Sequence, residues 1–208
     1  MSYEIIKRIK IVPVVKIENA ADAVAVVGAL EAGGIPVAEI TFRTSAAEEA
    51  IKAAAERFPD SLIGAGTVVN DIQAARAVAA GAKFIVSPGF SDRVDAFCRE
   101  AKILYIPGAV TPTEIMRATE GGNRIIKFFP ATVFGGSKAL KALGAPFGGI
   151  EFIPTGGIDN TNLHEFLSLK NVLAAGGSWM VRESLIAEGK FDEIAEISKK
   201  ARAIAEEF

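Results

Sequence analysis

The chain has 208 residues, of which 50% are hydrophobic and 23% are charged, and its 23 Lys and Arg nearly balance its 25 Asp and Glu. This length predicts one α/β domain over residues 1–208, and the composition excludes a disordered or fibrous chain. The sequence has no basic stripe and no uncharged apolar run of about 18 residues, so we expect no nucleic-acid partner and no membrane partner. The first residues, MSYEIIKRIKIVPVV, lack the pattern of a signal peptide, which predicts a cytoplasmic protein.

The cysteine and histidine content argues against metal chemistry. The single cysteine, Cys98, cannot form an internal disulfide, and its helical context DAFCREA predicts a small packing residue. The single histidine, His164, lies in the helical pattern TNLHEFL and not at the end of a strand. The sequence contains no H-x-H, no C-x-x-C and no carboxylate cluster with ligand spacing, so we expect neither a metal nor another cofactor.

Short apolar runs alternate with helical patterns along the whole chain. The runs cover residues 11–15, 37–42, 62–66, 84–88, 104–108, 125–129, 151–155 and 172–176. Between them lie amphipathic stretches that end at Gly or just before Pro. Eight such strand–helix units predict a single (β/α)8 TIM barrel with a parallel eight-stranded barrel and outer helices. An open doubly wound sheet is the alternative, but its G-x-G-x-x-G fingerprint does not follow the first strand.

The two ends of the chain predict further helices. The segment SYEIIKRIK is expected to form an extra N-terminal helix that covers the bottom of the barrel, and FDEIAEISKKARAIAEEF is expected to close its side. The apolar surface of AADAVAVVGAL is a candidate for contacts between subunits.

The second predicted strand carries charged residues on one face. Glu39, Thr41 and Arg43 alternate with the apolar residues Ala38, Ile40 and Phe42, and in a barrel the apolar face meets the helices. The polar face therefore points inward, where charges are costly unless they are paired or functional. A Glu39–Arg43 salt bridge, or an edge strand with one wet face, is the structural alternative.

Lys127 interrupts the apolar sixth strand, between Ile126 and Phe128. Such a lysine can extend to solvent or pair with a carboxylate. Its chemical alternative is specific, because removal from water disfavours the ammonium form and a neutral amine can attack a ketone to form an imine. With Glu39 as a proton shuttle and Arg43 as a carboxylate clamp, Lys127 completes a consistent set.

Glycine-rich turns follow several strands, at the rim where barrels carry their chemistry. After strand three, the small residues from Gly64 to Gly66 are expected to leave room for a ligand, and Thr67 can either hydrogen-bond it or cap the next helix, although Asn70 is the better-placed cap. Strands seven and eight are followed by turns that can bind phosphate together with a short extra helix. These turns contain Gly156, Gly157, Gly177 and Ser178, whereas Trp179 and Met180 are expected to pack that helix.

Several collinear motifs resemble those of one enzyme family. AGGIPVAEITFRT, IGAGTV, FIVSPG, IPGAVTPTE, IKFFPA, PTGGI and GGSW occur in the order and spacing of the 2-keto-3-deoxy-6-phosphogluconate (KDPG) aldolase / 4-hydroxy-2-oxoglutarate aldolase family. The resemblance spans nearly the whole chain. It implies a class I aldolase that needs no cofactor, acts on a small-molecule 2-keto acid phosphate and assembles as a homotrimer.

The resemblance also implies roles for individual residues. Lys127 would be the Schiff-base lysine and Glu39 the general acid/base. Arg43 and Thr67 would hold the pyruvyl carboxylate, and Phe129 would form part of the pocket wall. Thr155 would favour the gluconate over the galactonate epimer. The 6-phosphate would be held by Gly156, Gly157, Gly177 and Ser178. The chain departs from the family pattern at Thr132, where an acidic residue is common, and at Lys16, where some relatives carry Arg.

Other functions remain open at this point. They are an aldolase for the galactonate epimer, an isomerase or epimerase that binds phosphate, and a catalytically idle or re-engineered barrel that serves as an assembly scaffold. The isomerase would need paired acids or a metal, and Lys127 argues against it.

Overall fold

The computed structural model describes residues 2–208. Its eight strands are β1 (Ile11–Val15), β2 (Val37–Thr41), β3 (Leu62–Gly66), β4 (Phe84–Val86), β5 (Leu104–Ile106), β6 (Ile125–Phe128), β7 (Glu151–Pro154) and β8 (Ala175–Gly177). Its helices are α1 (Ser2–Ile9), α2 (Asp22–Ala32), α3 (Ala47–Arg57), α4 (Asp71–Ala79), α5 (Asp92–Glu100), α6 (Pro112–Glu120), α7 (Gly136–Leu143), α8 (Leu163–Leu167), α9 (Glu183–Ala187) and α10 (Phe191–Ala205).

The strands form two parallel sheets. Six strands are hydrogen-bonded in the order β5-β4-β3-β2-β1-β8, and β6 pairs with β7 in a sheet of two strands. The prediction of an α/β fold with parallel strands and alternating helices is confirmed, whereas one continuous eight-stranded ladder is not observed among residues 2–208. Isolated bridges join the sheets, from Gly108 to Lys127 on one side and from Thr155 to Gly176 on the other.

Several strands are shorter than the apolar runs that predicted them. β4 ends before Pro88 and β5 ends before Pro107, because proline has no N–H to continue a ladder. The predicted eighth strand, 172–176, is shifted toward the C-terminus. Val172 bridges only to Phe152 of β7, and the ladder with β1 begins where Ala175 pairs with Ile11.

The N-terminal helix lies where the sequence placed it. Ile6 and Ile9 of α1 are buried, and Tyr3 Oη donates a 2.9 Å hydrogen bond to Glu151 at the start of β7. Ser2 Oγ donates to the carbonyl of Lys83, just before β4, so α1 spans the N-terminal ends of strands from both sheets.

The most apolar side of α2, within the segment AADAVAVVGAL, is covered by the chain itself, so its buried residues are not available for contacts between subunits. Val26, Val27 and Leu30 are buried within the chain, and α2 packs between α3 and α10. The close α2–α10 approach depends on Gly33, where a methyl group would overlap the side chain of Ser198. No helix within residues 2–208 is both long enough and apolar enough to cross a bilayer.

Candidate active site

A cavity of about 410 Å³ opens at the C-terminal ends of the strands. The inner part of its wall comes from residues of β1, β2 and the ends of β6 and β7, and the outer part from the turns after β7 and β8. The lining residues are Val14, Lys16, Thr41, Arg43, Phe129, Thr155, Gly156, Gly157, Ile158, Gly177, Ser178, Val181, Arg182 and Glu183. The prediction that polar residues gather at this rim is confirmed.

Lys127 and Glu39 form a buried ion pair from opposite sides of the site. Lys127 Nζ lies 3.1 Å from Glu39 Oε1, and the side chains are only 6% and 3% exposed. Both residues lie beneath the cavity wall. Glu39 precedes the wall residue Thr41 by two positions and Lys127 precedes the wall residue Phe129 by two positions, so each points to the same side of the chain as that wall residue. The structural alternative of a Glu39–Arg43 bridge is wrong, because Lys127 takes the carboxylate instead.

The backbone of Lys127 is held on both sides. Its N–H donates to the Pro107 carbonyl at 2.8 Å, and its carbonyl accepts from Ala109 N–H at 3.0 Å. On the other side Lys127 is in register with Ile153 of β7. Lys127 Nζ also lies 5.4 Å from the centre of the Phe129 ring, a distance at which an aromatic face attracts a cation. These contacts hold the Lys127 backbone in place between β5 and β7 and keep its ammonium group beside the Phe129 ring.

The glycines of β3 make room for protein side chains and not for a ligand, which corrects the sequence prediction. A methyl group at Gly64 would overlap the Phe84 ring, and one at Gly66 would overlap the carboxylate of Glu39. Gly66 is in register with Thr41 on the neighbouring strand. The missing side chain at Gly66 thus sets where the Glu39 carboxylate can lie.

Arg43 lines the cavity from the turn after β2, where it is exposed and not on the inward face of the strand, and Thr67 lies beside it without lining the cavity. Arg43 Nε donates a 3.3 Å hydrogen bond to Thr67 Oγ1, which leaves the threonine hydroxyl hydrogen free for a ligand. Thr67 has φ +57°, a left-handed conformation that is strained for a β-branched residue. It does not cap α4, because Asn70 does so by accepting from Gln73 N–H at 2.8 Å.

The glycine turns form the outer end of the cavity. Gly156 and Gly157 have φ values of +99° and +74°, which an L side chain rarely adopts. Thr132, one of the departures from the family pattern, packs against this turn, and its hydroxyl donates to the Gly156 carbonyl at 3.4 Å. A side chain at Gly177 would overlap the ring of Trp179, so the ring packs against this turn. That Trp179 also packs the extra helix stays a prediction.

Three charged residues at the outer end had no predicted role. Lys16 Nζ lies 2.8 Å from Glu18 and 2.9 Å from Glu183. These hydrogen bonds, that to Glu18 first, raise the pKa of Lys16. Arg182 lines the same wall, and its Nε donates to the Trp179 carbonyl at 3.1 Å. The sequence signal for Arg182 and Glu183 was their position three and four residues after Trp179 of the GGSW turn.

The single cysteine and histidine lie away from this cavity. Burial, with a smaller effect of Asp95, raises the pKa of the Cys98 thiol to about 12, so the nucleophilic thiolate is disfavoured. His164 is exposed on α8 and its ring packs against Phe208. Within residues 2–208, no group of three or more His, Cys, Asp or Glu side chains is arranged to hold a metal ion.

Known proteins match this chain over nearly its whole length. Residues 3–197 match the family model of KDPG and KHG aldolase. The chain is 46% identical to 2-dehydro-3-deoxy-phosphogluconate aldolase of Treponema pallidum, over 97% of this chain and 96% of that one. It is 41% identical to KHG/KDPG aldolase of Escherichia coli, over 92% and 90% of the two chains.

A solved structure is similar over almost the whole chain. KDPG aldolase of Legionella pneumophila superposes with a TM-score of 0.93 at 38% identity, covering 97% of this chain and 98% of that one. That protein was crystallised with pyruvate captured as a covalent carbinolamine intermediate.

Proposed function

This chain belongs to the KDPG and KHG aldolase family, and on that premise we propose that it cleaves 2-keto-3-deoxy-6-phosphogluconate through an imine on Lys127. The products are pyruvate and glyceraldehyde 3-phosphate. The observation that carries the proposal is the buried Lys127–Glu39 pair, 3.1 Å apart beneath a cavity of about 410 Å³. The covalent pyruvate adduct of the Legionella pneumophila neighbour supports the same chemistry.

The reaction begins with proton transfer inside the ion pair. A proton moves from Lys127 Nζ to Glu39 Oε1 along their hydrogen bond, which frees the amine lone pair. The amine attacks the C2 ketone of the substrate to form a carbinolamine. Glu39 then passes its proton to the carbinolamine hydroxyl, which leaves as water, so that a protonated imine forms and Glu39 is again a carboxylate. No metal is needed, because the imine nitrogen accepts the electrons of the bond that breaks.

Cleavage needs a base at the substrate C4 hydroxyl. Glu39, as carboxylate, removes that proton while the C3–C4 bond breaks and its electron pair moves into the imine, leaving an enamine on Lys127. Glyceraldehyde 3-phosphate departs. Glu39 then returns the proton to C3, and water hydrolyses the imine to release pyruvate and the free lysine.

The remaining residues would orient the substrate along the cavity. Arg43 carries a fixed positive charge beside the Thr67 hydroxyl, a pair suited to the pyruvyl carboxylate. Phe129 walls the inner end. Thr155 is buried on the inward face, where its hydroxyl can meet the sugar hydroxyls and favour the gluconate epimer. The glycine turns with Gly156, Gly157, Gly177 and Ser178 would hold the phosphate through backbone N–H groups.

A shorter substrate fits the same inner end. All the groups assigned to imine formation and to proton transfer lie there, and none belongs to the glycine turns. We therefore propose that 4-hydroxy-2-oxoglutarate is also cleaved, to pyruvate and glyoxylate. The name KHG/KDPG aldolase of the Escherichia coli relative supports this second activity.

The architecture and assembly are proposed in the same way. We propose that the two sheets close into one (β/α)8 barrel forming a single domain over residues 1–208, which is supported by the Gly108–Lys127 and Thr155–Gly176 bridges. A homotrimer is proposed from the family, with exposed apolar residues such as Val133 and Ile72 available for contacts. Sedimentation equilibrium, which gives the mass of the assembly in solution, tests the trimer. A cytoplasmic location stays a prediction.

The activity is tested by mixing the purified protein with each keto acid. We expect pyruvate and glyceraldehyde 3-phosphate in equal amounts from the gluconate-derived substrate, and slower release from its galactonate epimer. Absence of pyruvate from both phosphorylated substrates and from 4-hydroxy-2-oxoglutarate, with folded protein, would contradict the proposal and favour an idle scaffold.

A further inference from the structure

We propose that Arg182 is a specificity-determining residue that binds the phosphate of the substrate and so separates phosphorylated from non-phosphorylated 2-keto acids. The proposal rests on the proposed aldolase function. It starts from the charged side chains at the outer end of the cavity, which are those of Lys16, Arg182 and Glu183.

Lys16 is not a free cation. Its ammonium contacts Glu18 at 2.8 Å and Glu183 at 2.9 Å, so two carboxylates surround one positive charge. Lys16, Glu18 and Glu183 together carry a net negative charge. This charge repels a substrate phosphate, whose own charge is about −2 near neutral pH. Lys16 alone therefore does not make the outer end attractive to a phosphorylated substrate.

Arg182 supplies the missing positive charge. Its Nε donates to the Trp179 carbonyl at 3.1 Å, which fixes the guanidinium group against the turn that contains Gly177 and Ser178. Within residues 2–208 no carboxylate lies within ion-pair distance of Arg182, so the remaining guanidinium N–H groups are available. A guanidinium group binds phosphate oxygens in pairs, which a single backbone N–H cannot do.

Glu183 has the opposite effect. It lines the cavity beside Arg182 and holds Lys16 at the same time. A phosphate that enters must either displace Glu183 from Lys16 or remain near its charge. Removal of this carboxylate should therefore strengthen phosphate binding, whereas removal of Arg182 should weaken it.

The proposal predicts changes of opposite sign in two neighbouring variants. Arg182→Gln is expected to raise the KM for 2-keto-3-deoxy-6-phosphogluconate about tenfold with little change in kcat, because a uniform binding contact is lost. Glu183→Gln should lower that KM severalfold. For 4-hydroxy-2-oxoglutarate, which has no phosphate, Arg182→Gln should change the KM by less than about twofold. Arg93→Gln is the control, because Arg93 lies on α5, away from this cavity.

Equal effects of Arg182→Gln on both substrates, or no effect on either, would overturn the proposal. A phosphorus NMR titration with inorganic phosphate separates this failure from failure of the aldolase function, since it needs no turnover. Weaker phosphate binding by Arg182→Gln than by Arg93→Gln supports the assignment even in an inactive protein. Equal binding by the two variants contradicts it.

Discussion

The site contains two Lys–Glu pairs with similar geometry and different surroundings. Lys127 lies 3.1 Å from Glu39 with side chains 6% and 3% exposed, whereas Lys16 lies 2.9 Å from Glu183 with side chains 29% and 62% exposed. Water and ions screen the outer pair, and such pairs contribute little to stability. The inner pair is removed from water, so removal of either partner would leave the other as an uncompensated buried charge. The two pairs therefore differ in burial and not in distance. The buried pair is suited to proton transfer, whereas the exposed pair reduces the positive charge at the outer end of the cavity.

The largest effect should come from Lys127→Met. The variant has no amine to form an imine, and it leaves Glu39 buried without a partner. We expect the rate of pyruvate release to fall by at least about a thousandfold, since a nucleophile that forms a covalent intermediate is lost. The free energy of unfolding should also fall by about 3 kcal/mol, as when one partner of a buried ion pair is removed.

Urea unfolding of the double variant Lys127→Met/Glu39→Gln is the control for that loss of stability. Because no charge is left unpaired, the double variant should recover part of the lost stability and none of the activity. Activity retained in either variant would remove Lys127 from the mechanism.

Glu39→Gln should give the next largest effect. Glutamine keeps the size of the side chain and can still hydrogen-bond Lys127, but it cannot carry a proton between the two steps. We expect kcat to fall by about 100- to 10,000-fold, the usual range for loss of a general acid/base. Near-normal kcat in a folded variant would assign proton transfer to another group.

Gly66→Ala should lower kcat less than the substitutions of Lys127 and Glu39 do. The added methyl group overlaps the Glu39 carboxylate, so the carboxylate must move away from its present position. A displacement of about 1 Å can lower kcat by up to about a hundredfold. The matched control is Gly89→Ala, where a methyl group would meet no atom within 4 Å. Similar kcat values for the two alanine variants would show that Gly66 does not position Glu39.

Lys16→Met should have the smallest effect on stability. Its pair is exposed to solvent, so we expect no measurable change in the thermal midpoint, in contrast to Lys127→Met. Differential scanning fluorimetry of the two variants side by side makes this comparison. A loss of stability at Lys16 as large as that at Lys127 would contradict the role given to burial.

Glu39 and Lys127 could each be singled out from the sequence, because strand periodicity is a local property. Alternation in the predicted second strand placed Glu39 on the inward face, and Lys127 stood out in an apolar strand. The same alternation placed Arg43 inward, but β2 ends at Thr41 and Arg43 is exposed in the turn that follows. The pairing itself could not be predicted from either strand alone, because the two residues are 88 positions apart in the chain. From the pattern, Arg43 was an equally good partner for Glu39.

The glycines and strand ends were harder to predict, for physical reasons. A glycine signals that a side chain is missing, but not whether a ligand or a neighbouring residue occupies the space, and at Gly66 the occupant is Glu39. The eighth strand was misplaced because its apolar run begins at Val172, whereas its position is set by pairing with β1. Arg182 was missed because exposed charged residues are common, and only the cavity distinguishes this one.

The central claim is that Lys127 forms an imine with a 2-keto acid. Incubation with pyruvate and borohydride, followed by peptide mass spectrometry, tests it most directly, because borohydride reduces the imine to a stable secondary amine. We expect a single reduced pyruvate adduct on the peptide that contains Lys127, and none on that containing Lys16. An adduct on another lysine, or no adduct in protein that cleaves its substrate, would contradict the claim.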